Sequence, residues 1–172
     1  IHPSFRPYQL VGVISPWNFP LLLGCIDAIP ALAAGCAVII KPSEVTPRFL
    51  APLARSIERV PVLRDLFGTV EGAAEVGQAL IPQVDFVCFT GSTEVGELIA
   101  AAGAKAFTAV SLELGGKDPA IVLPGADIDR AAAGILWGGT ANSGQSCLSI
   151  ERVYVHADIY DDFIGKIAAL AN

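Results

Sequence analysis

Cys147 stands in the run NSGQSCLSIERVYV, directly after a Gly-Gln-Ser turn and just before an apolar strand. A thiol becomes a nucleophile when a base and a donor for developing negative charge can reach it. Three other positions could supply the rest of such a machine. Asn18 in SPWNFP is an amide that could aim at an oxyanion, or cap the helix that follows at Pro20. Glu113 in SLELGGK is a carboxyl in an apolar stretch, where it is either raised in pKa, as a general base is, or held in a buried ion pair. Lys41 and Glu44 in IIKPSE could grip ribose hydroxyls; taken alone, they read as a solvated charge pair.

FTGSTEVG adds a glycine turn, with Gly91 permitting close backbone approach and Ser92 at a helix start. Free N–H groups and the positive dipole end suit a phosphate there, although Ser92 reads equally well as a plain N-cap.

The elements that must position these groups follow from hydropathy. Apolar, β-branched runs at 10–15, 37–40, 68–72, 85–90, 107–114, 119–123 and 152–156 predict strands. Helices are expected after Pro20, from a Thr46 cap with Pro47 first through Val60, over the short AEVGQALI run, over 92–104, over 127–142 and from Asp158 onward. Such β-α-β alternation predicts an α/β fold: a Rossmann-like parallel sheet with helices on both faces. Ligands bind such sheets beyond the carboxyl ends of the strands. PWN, KPSE, TGST and ELGGK each directly follow a predicted strand, so four separate segments converge on one sheet edge.

Composition removes several classes of function. The chain has 172 residues, 53% apolar and 16% charged, with a formal net charge of −6 and no basic run. Nucleic acid and anionic membrane surfaces are therefore not expected partners. The apolar run from Leu21 to Ile40 is long enough to span a bilayer, but Asp27, Pro30 and Gly35 break it, which predicts a buried helix, a glycine stop and a strand. Cys25, Cys36 and Cys88 read as small core residues, no metal site is expected, and a reducing cytoplasm is the expected compartment. The chain contains no Met, so it opens as a processed product or a fragment would.

PWNFP, KPSE, FTGSTEVG, LELGGK and GQSC, in this order and spacing, resemble the aldehyde dehydrogenase superfamily over essentially the whole chain. SIERVYV is similar to the succinate-semialdehyde branch. The resemblance implies Cys147 as nucleophile, Glu113 as the base for the deacylating water, and Asn18 as the side-chain half of the oxyanion hole. It implies cofactor contacts at Ser15, Pro16, Trp17, Lys41, Ser43, Glu44, Gly91, Ser92, Leu114 and Gly115. The cofactor would be NAD, with NADP possible; Glu44 should bind a ribose 2′-hydroxyl and repel a 2′-phosphate. The implied cycle is thiolate attack on a small-molecule aldehyde, hydride transfer to nicotinamide and thioester hydrolysis. Residues 1–114 would form the cofactor-binding domain and 115–172 the start of a second, catalytic α/β domain, in a full-length protein that is a homo-oligomer. Three alternatives stand beside this: a CoA-acylating relative, which Glu113 disfavours; a cysteine hydrolase using His2 or His156; and a nucleotide-binding chain without turnover.

Overall fold

The computed structural model describes residues 6–172 and divides into two compact units at Leu114–Gly115. In the first, β1 (Leu10–Ile14), β2 (Ala37–Lys41), β3 (Phe67–Thr69), β4 (Phe86–Thr90) and β5 (Ala109–Glu113) form one parallel sheet in the order β3-β2-β1-β4-β5. The chain crosses from one side of β1 to the other between β3 and β4. This puts a topological switch point beside the carboxyl end of β1.

Helices cover both faces, for a reason visible in the strands. Val11, Val13, Val38 and Ile40 pack with Ala28 of α2 (Ala28–Ala34), and Phe86 and Cys88 join them. Val87 and Phe89 point the other way, against Leu80 of α5 (Ala74–Leu80) and Ile99 of α6 (Thr93–Ala106). Central strands buried on both sides must read as continuous apolar runs, and each fully buried Val or Ile stabilises the fold by about 1.5–3 kcal/mol. The edge strand β5 departs from the expected double cover. Val110 and Leu112 pack toward α6, while Ala109, Ser111 and Glu113 on its other face are exposed.

Several predicted boundaries move. The first apolar helix is two, α1 (Pro20–Cys25) and α2, separated at Ile26–Asp27. It is not wholly buried, since Leu22 and Ile29 are 59% and 64% exposed. Thr46 does not cap a long helix. Pro47–Phe49 is a 3-10 turn, and α3 (Leu50–Glu58) starts after it. Pro52 explains this, because in an α-helix begun at Pro47 its ring would meet the carbonyl of Arg48, four residues back; it sits instead in the first turn of α3. The short α4 (Pro61–Arg64) has no counterpart in the sequence reading. Phe107, expected to open β5, terminates α6 instead in a left-handed conformation (φ 55°) and is 99% exposed.

The second unit is smaller. β6 (Asp118–Val122) and β7 (Ile150–Val155) form a two-stranded parallel sheet with a bulge at Asp118/Pro119. Val122, Ala132 of α7 (Ile128–Thr140) and Phe163 of α8 (Tyr160–Ala171) make its core. Asp127 caps α7 by accepting the Arg130 N–H at 3.1 Å, and Lys166 of α8 pairs with Asp129 of α7 at 2.7 Å. α7 ends at Thr140, short of the expected 142, because Asn142 is already left-handed. Among the described residues no helix is long and apolar enough to cross a membrane.

Candidate functional site

The loops after β1, β2, β4 and β5 leave the same edge of one parallel sheet, and each brings a residue type that the sequence singled out. Ser15 continues the β1–β2 ladder, donating its N–H to the Lys41 carbonyl at 3.0 Å. Its hydroxyl is buried and has no hydrogen-bond partner among the described residues. Pro16 is half-buried, and Trp17 is 45% exposed. The Trp17 carbonyl accepts the Thr46 hydroxyl at 3.1 Å, which ties the loop after β1 to the loop after β2. Asn18 is half-buried and does not cap α1, whose N-cap position is Phe19 with no side-chain cap bond.

Lys41 corrects the bland reading of its charge pair. Its side chain is only 6% exposed, and Nζ lies 3.3 Å from Glu44 Oε2, whose side chain is 58% exposed. A buried ammonium needs a partner to offset desolvation. Glu44 is held below the usual carboxylate range first by its own backbone N–H and then by Lys41. Ser43 shapes this loop, accepting the Val45 N–H at 3.3 Å on its hydroxyl.

Gly91 donates its N–H to the Glu113 carbonyl at 3.0 Å, extending the β4–β5 ladder. A Cβ there would stand 2.5 Å from the Phe89 ring, so only glycine lets the chain turn over that buried ring into α6. Ser92 caps α6 by accepting the Val95 N–H at 3.3 Å. Leu114 packs on α6 so closely that a Cβ at Gly96 would lie 2.5 Å from its methyl group.

Glu113 is where the structure and the expectation part most clearly. The apolar run suggested an embedded carboxyl, but alternation along an edge strand turns it to the uncovered face, where it is exposed. The sequence reading overlooked its neighbour. Asp27, treated there only as a break in an apolar run, is half-buried, and burial first, then the Glu113 charge, pushes its carboxyl above the usual range.

In the second unit Gly115 is exposed, and Cys147 sits on a tight loop. Asn142, Ser143 and Gly144 are all left-handed, with φ of 52°, 60° and 72°. Non-glycine residues in that region are strained and cluster at functional sites. A β-turn follows: Ser149 donates its N–H to the Ser146 carbonyl at 3.0 Å, with Cys147 and Leu148 between them. β7, which the turn leads into, packs closely on α7, where a Cβ at Gly138 would meet Ile150 at 2.8 Å. Ser149 is 3% exposed, with a hydroxyl unpartnered among the described residues. Cys147 is the one exposed cysteine of four. Burial pushes the Cys25 thiol up, and burial followed by the Asp27 charge pushes Cys88 up to about 11.

The hydrolase alternative has no support. His156 is exposed and its ring accepts the Asp158 N–H at 3.2 Å, and His2 lies outside the described residues. No group of His, Cys, Asp and Glu among the described residues could hold a metal. A cavity of about 480 Å³ between β3 and α5, lined by Gly68, Val70, Glu75 and Val76 among others, contains none of the residues singled out above.

Comparison with known proteins identifies the scaffold. The model of the aldehyde dehydrogenase family matches residues 4–172. The chain belongs to the aldehyde dehydrogenase family. The "Putative succinate-semialdehyde dehydrogenase" of Mycolicibacterium smegmatis, named for NADP(+), is 43% identical over 95% of this chain and 32% of its own length. Among solved structures, the "Putative Aldehyde Dehydrogenase PutA" of Anabaena variabilis superposes with a TM-score of 0.96 at 56% identity, over 98% of this chain and 36% of that one. The NAD-dependent aldehyde dehydrogenase of Sinorhizobium meliloti superposes at 0.91 with 38% identity, over 95% and 33%. The chain thus spans about a third of the length of these aldehyde dehydrogenases.

Proposed function

We propose that this chain supplies the nucleotide-binding sheet and the nucleophile of an NAD(P)-dependent aldehyde dehydrogenase that converts an aldehyde to a carboxylic acid. What carries the reading is Cys147: it is the only exposed thiol, at the head of a strained loop in a chain of this family.

The residues at the sheet edge fit a dinucleotide. The buried Lys41 ammonium and its Glu44 partner suit ribose hydroxyls, the orphaned Ser15 hydroxyl awaits a partner, and the cap of a 14-residue helix at Ser92 suits a pyrophosphate. Pro16, Trp17, Ser43, Gly91, Leu114 and Gly115 would shape the same site. When bound, the nicotinamide cofactor supplies the two-electron oxidant of the cycle. The ionised Glu44 favours NAD, since a 2′-phosphate beside it would be repelled; relatives are named for either cofactor.

In the chain's own chemistry, Cys147 Sγ forms a bond to the aldehyde carbon, and the carbonyl oxygen takes up negative charge. The Asn18 amide and the Cys147 backbone N–H are the donors for that oxyanion. After oxidation the acyl group remains on Cys147 as a thioester. Glu113 accepts a proton from the attacking water, the C–S bond breaks, and acid and thiol are released. The presence of a carboxylate at position 113 supports water as the acceptor over a CoA thiol, because a base is needed to take the proton of water.

The test uses the enzyme at the length of its relatives. Cys147→Ala should abolish aldehyde-dependent NADH formation and leave nucleotide binding intact. Glu113→Gln should give one burst of NADH and then slow turnover. More than a trace of activity in Cys147→Ala would refute the nucleophile.

A further inference from the structure

β7 carries one residue more than β6 can match. Val155 pairs with Val122, Tyr154 with Ile121, Val153 with Ala120 and Arg152 with Pro119, but Asp118 then pairs with Ile150. Glu151 is left without a register partner. Pro119 has no N–H to give the ladder, and proline sits within sheets at edges and bulges. The extra residue changes which side chains face the core. Val155 packs with Val122, Ala132 and Phe163, and strict alternation back from it would turn Glu151 to that face and Ile150 away. Ile150 instead packs on the bare backbone of α7. A Cβ at Gly138 would meet its side chain at 2.8 Å, and one at Gly139 its carbonyl oxygen at 3.1 Å. The bulge supplies the one-residue shift that an unbroken ladder would forbid.

Side chains of the bulge fix it in place. Arg152 donates from Nε at 3.0 Å and from Nη2 at 2.7 Å to the same Lys117 carbonyl, immediately before β6. Its guanidinium lies 6.0 Å from the centre of the Tyr154 ring, with Nη1 3.5 Å from the Tyr154 hydroxyl oxygen. Glu151, the extra residue, pairs with the Lys117 ammonium. A planar fork with fixed donor directions holds one carbonyl more firmly than a flexible ammonium does. Arg152 stands five residues after Cys147, on the strand that the Cys147 turn leads into. We propose that Arg152 is a positioning residue for the nucleophile: by fixing the bulge it seats Ile150 on α7 and sets where the turn over 146–149 presents Cys147 Sγ. This rests on the reading of Cys147 as the nucleophile. Bulges beside reacting groups re-aim side chains, and a displacement of about 1 Å there costs on the order of 10²-fold in rate.

p-Nitrophenyl acetate tests this without any oxidant. Cys147 Sγ bonds to the acetyl carbon as p-nitrophenolate leaves, so the burst of p-nitrophenolate reads acylation alone. In the enzyme at its relatives' length, Arg152→Ala should slow that burst by about 10²-fold. Its circular dichroism, nucleotide affinity and rate of Cys147 alkylation by iodoacetamide should change little. A burst at the unaltered rate, or one that falls only in proportion to unfolded protein, would overturn the proposal. Lys117→Ala removes the exposed pair with Glu151 but keeps the carbonyl, so its burst should stay within about twofold. A loss matching that of Arg152→Ala would assign the effect to surface charge and refute the fork. Arg152→Lys keeps the charge without the fork and should fall between the two. If the alanine variant does not fold, an unslowed burst in Arg152→Lys overturns the proposal by itself. An undiminished burst in Cys147→Ala would instead sink the nucleophile assignment, whatever Arg152 does.

Discussion

The two units of the chain differ in how far each completes its own core. In the first, five strands bury Val13, Val38, Ile40, Ile81 and Val87 almost fully between helices on two faces. In the second, two strands carry a core of Val122, Ala132 and Phe163, and the opposite sheet face leaves Ile121 68% and Tyr154 53% exposed. A two-stranded sheet is marginal without further strands or cover. The difference teaches where precision comes from. The loops proposed to hold a nucleotide stand on central strands covered by helices on both faces, whereas the loop of Cys147 stands on a sheet with an open apolar face.

The comparison can be broken most severely with the 172 residues alone. Open strand edges and exposed apolar side chains favour self-association. The isolated chain is expected to aggregate in light scattering and to produce no NADH with aliphatic aldehydes. A monodisperse monomer with steady turnover would show that the smaller unit needs no further cover. In the longer enzyme, Asn18→Ala tests whether the first unit contributes to chemistry as well as binding. Losing one oxyanion donor costs about 2.7–4 kcal/mol of transition-state stabilisation, so kcat should fall by roughly 10²–10³ with nucleotide affinity little changed. Normal kcat with lowered stability would reduce Asn18 to a structural role.

Amide exchange sharpens the contrast within one sample. Protons of β1, β2 and β4 should exchange only on global unfolding, and those of β6 and β7 roughly a hundredfold faster through local opening. Equal protection in both sheets would erase the distinction. The smallest effect is Asp27→Asn on stability. The folded Asp27 carboxyl holds its proton more tightly than the unfolded one, so folding loses stability as pH rises through that window. The variant should melt higher at neutral pH, with the gain vanishing as pH falls below the ordinary Asp range. A gain that grows in acid would reverse the sign of the argument.

Much of this was legible in the residues. Continuous apolar runs at 10–15 and 85–90 read as strands of a parallel sheet covered on both faces, and they are paired parallel neighbours in it. The placement of PWN, KPSE, TGST and ELGGK after strands is likewise local. What went astray depended on neighbours distant in sequence. Whether Lys41 is buried depends on the loops packed around the end of β2, and hydropathy assigned it to solvent. Glu113 looked embedded because its flanks are apolar, yet the strand order leaves β5 at an edge with one face uncovered. Asp27 seemed to be only an interruption, since nothing within ten residues of it reveals a carboxyl from a strand more than eighty positions away.

By itself the sequence determined the strand and helix periods and the residue types delivered to the strand ends. Those are short-range properties of sterics and hydropathy, written into neighbouring residues. Only the tertiary structure decided which carboxyl is exposed, which ammonium is buried and which charges meet. Desolvation and Coulomb interaction depend on distance in space, and β-sheet order is what turns separation along the chain into that distance.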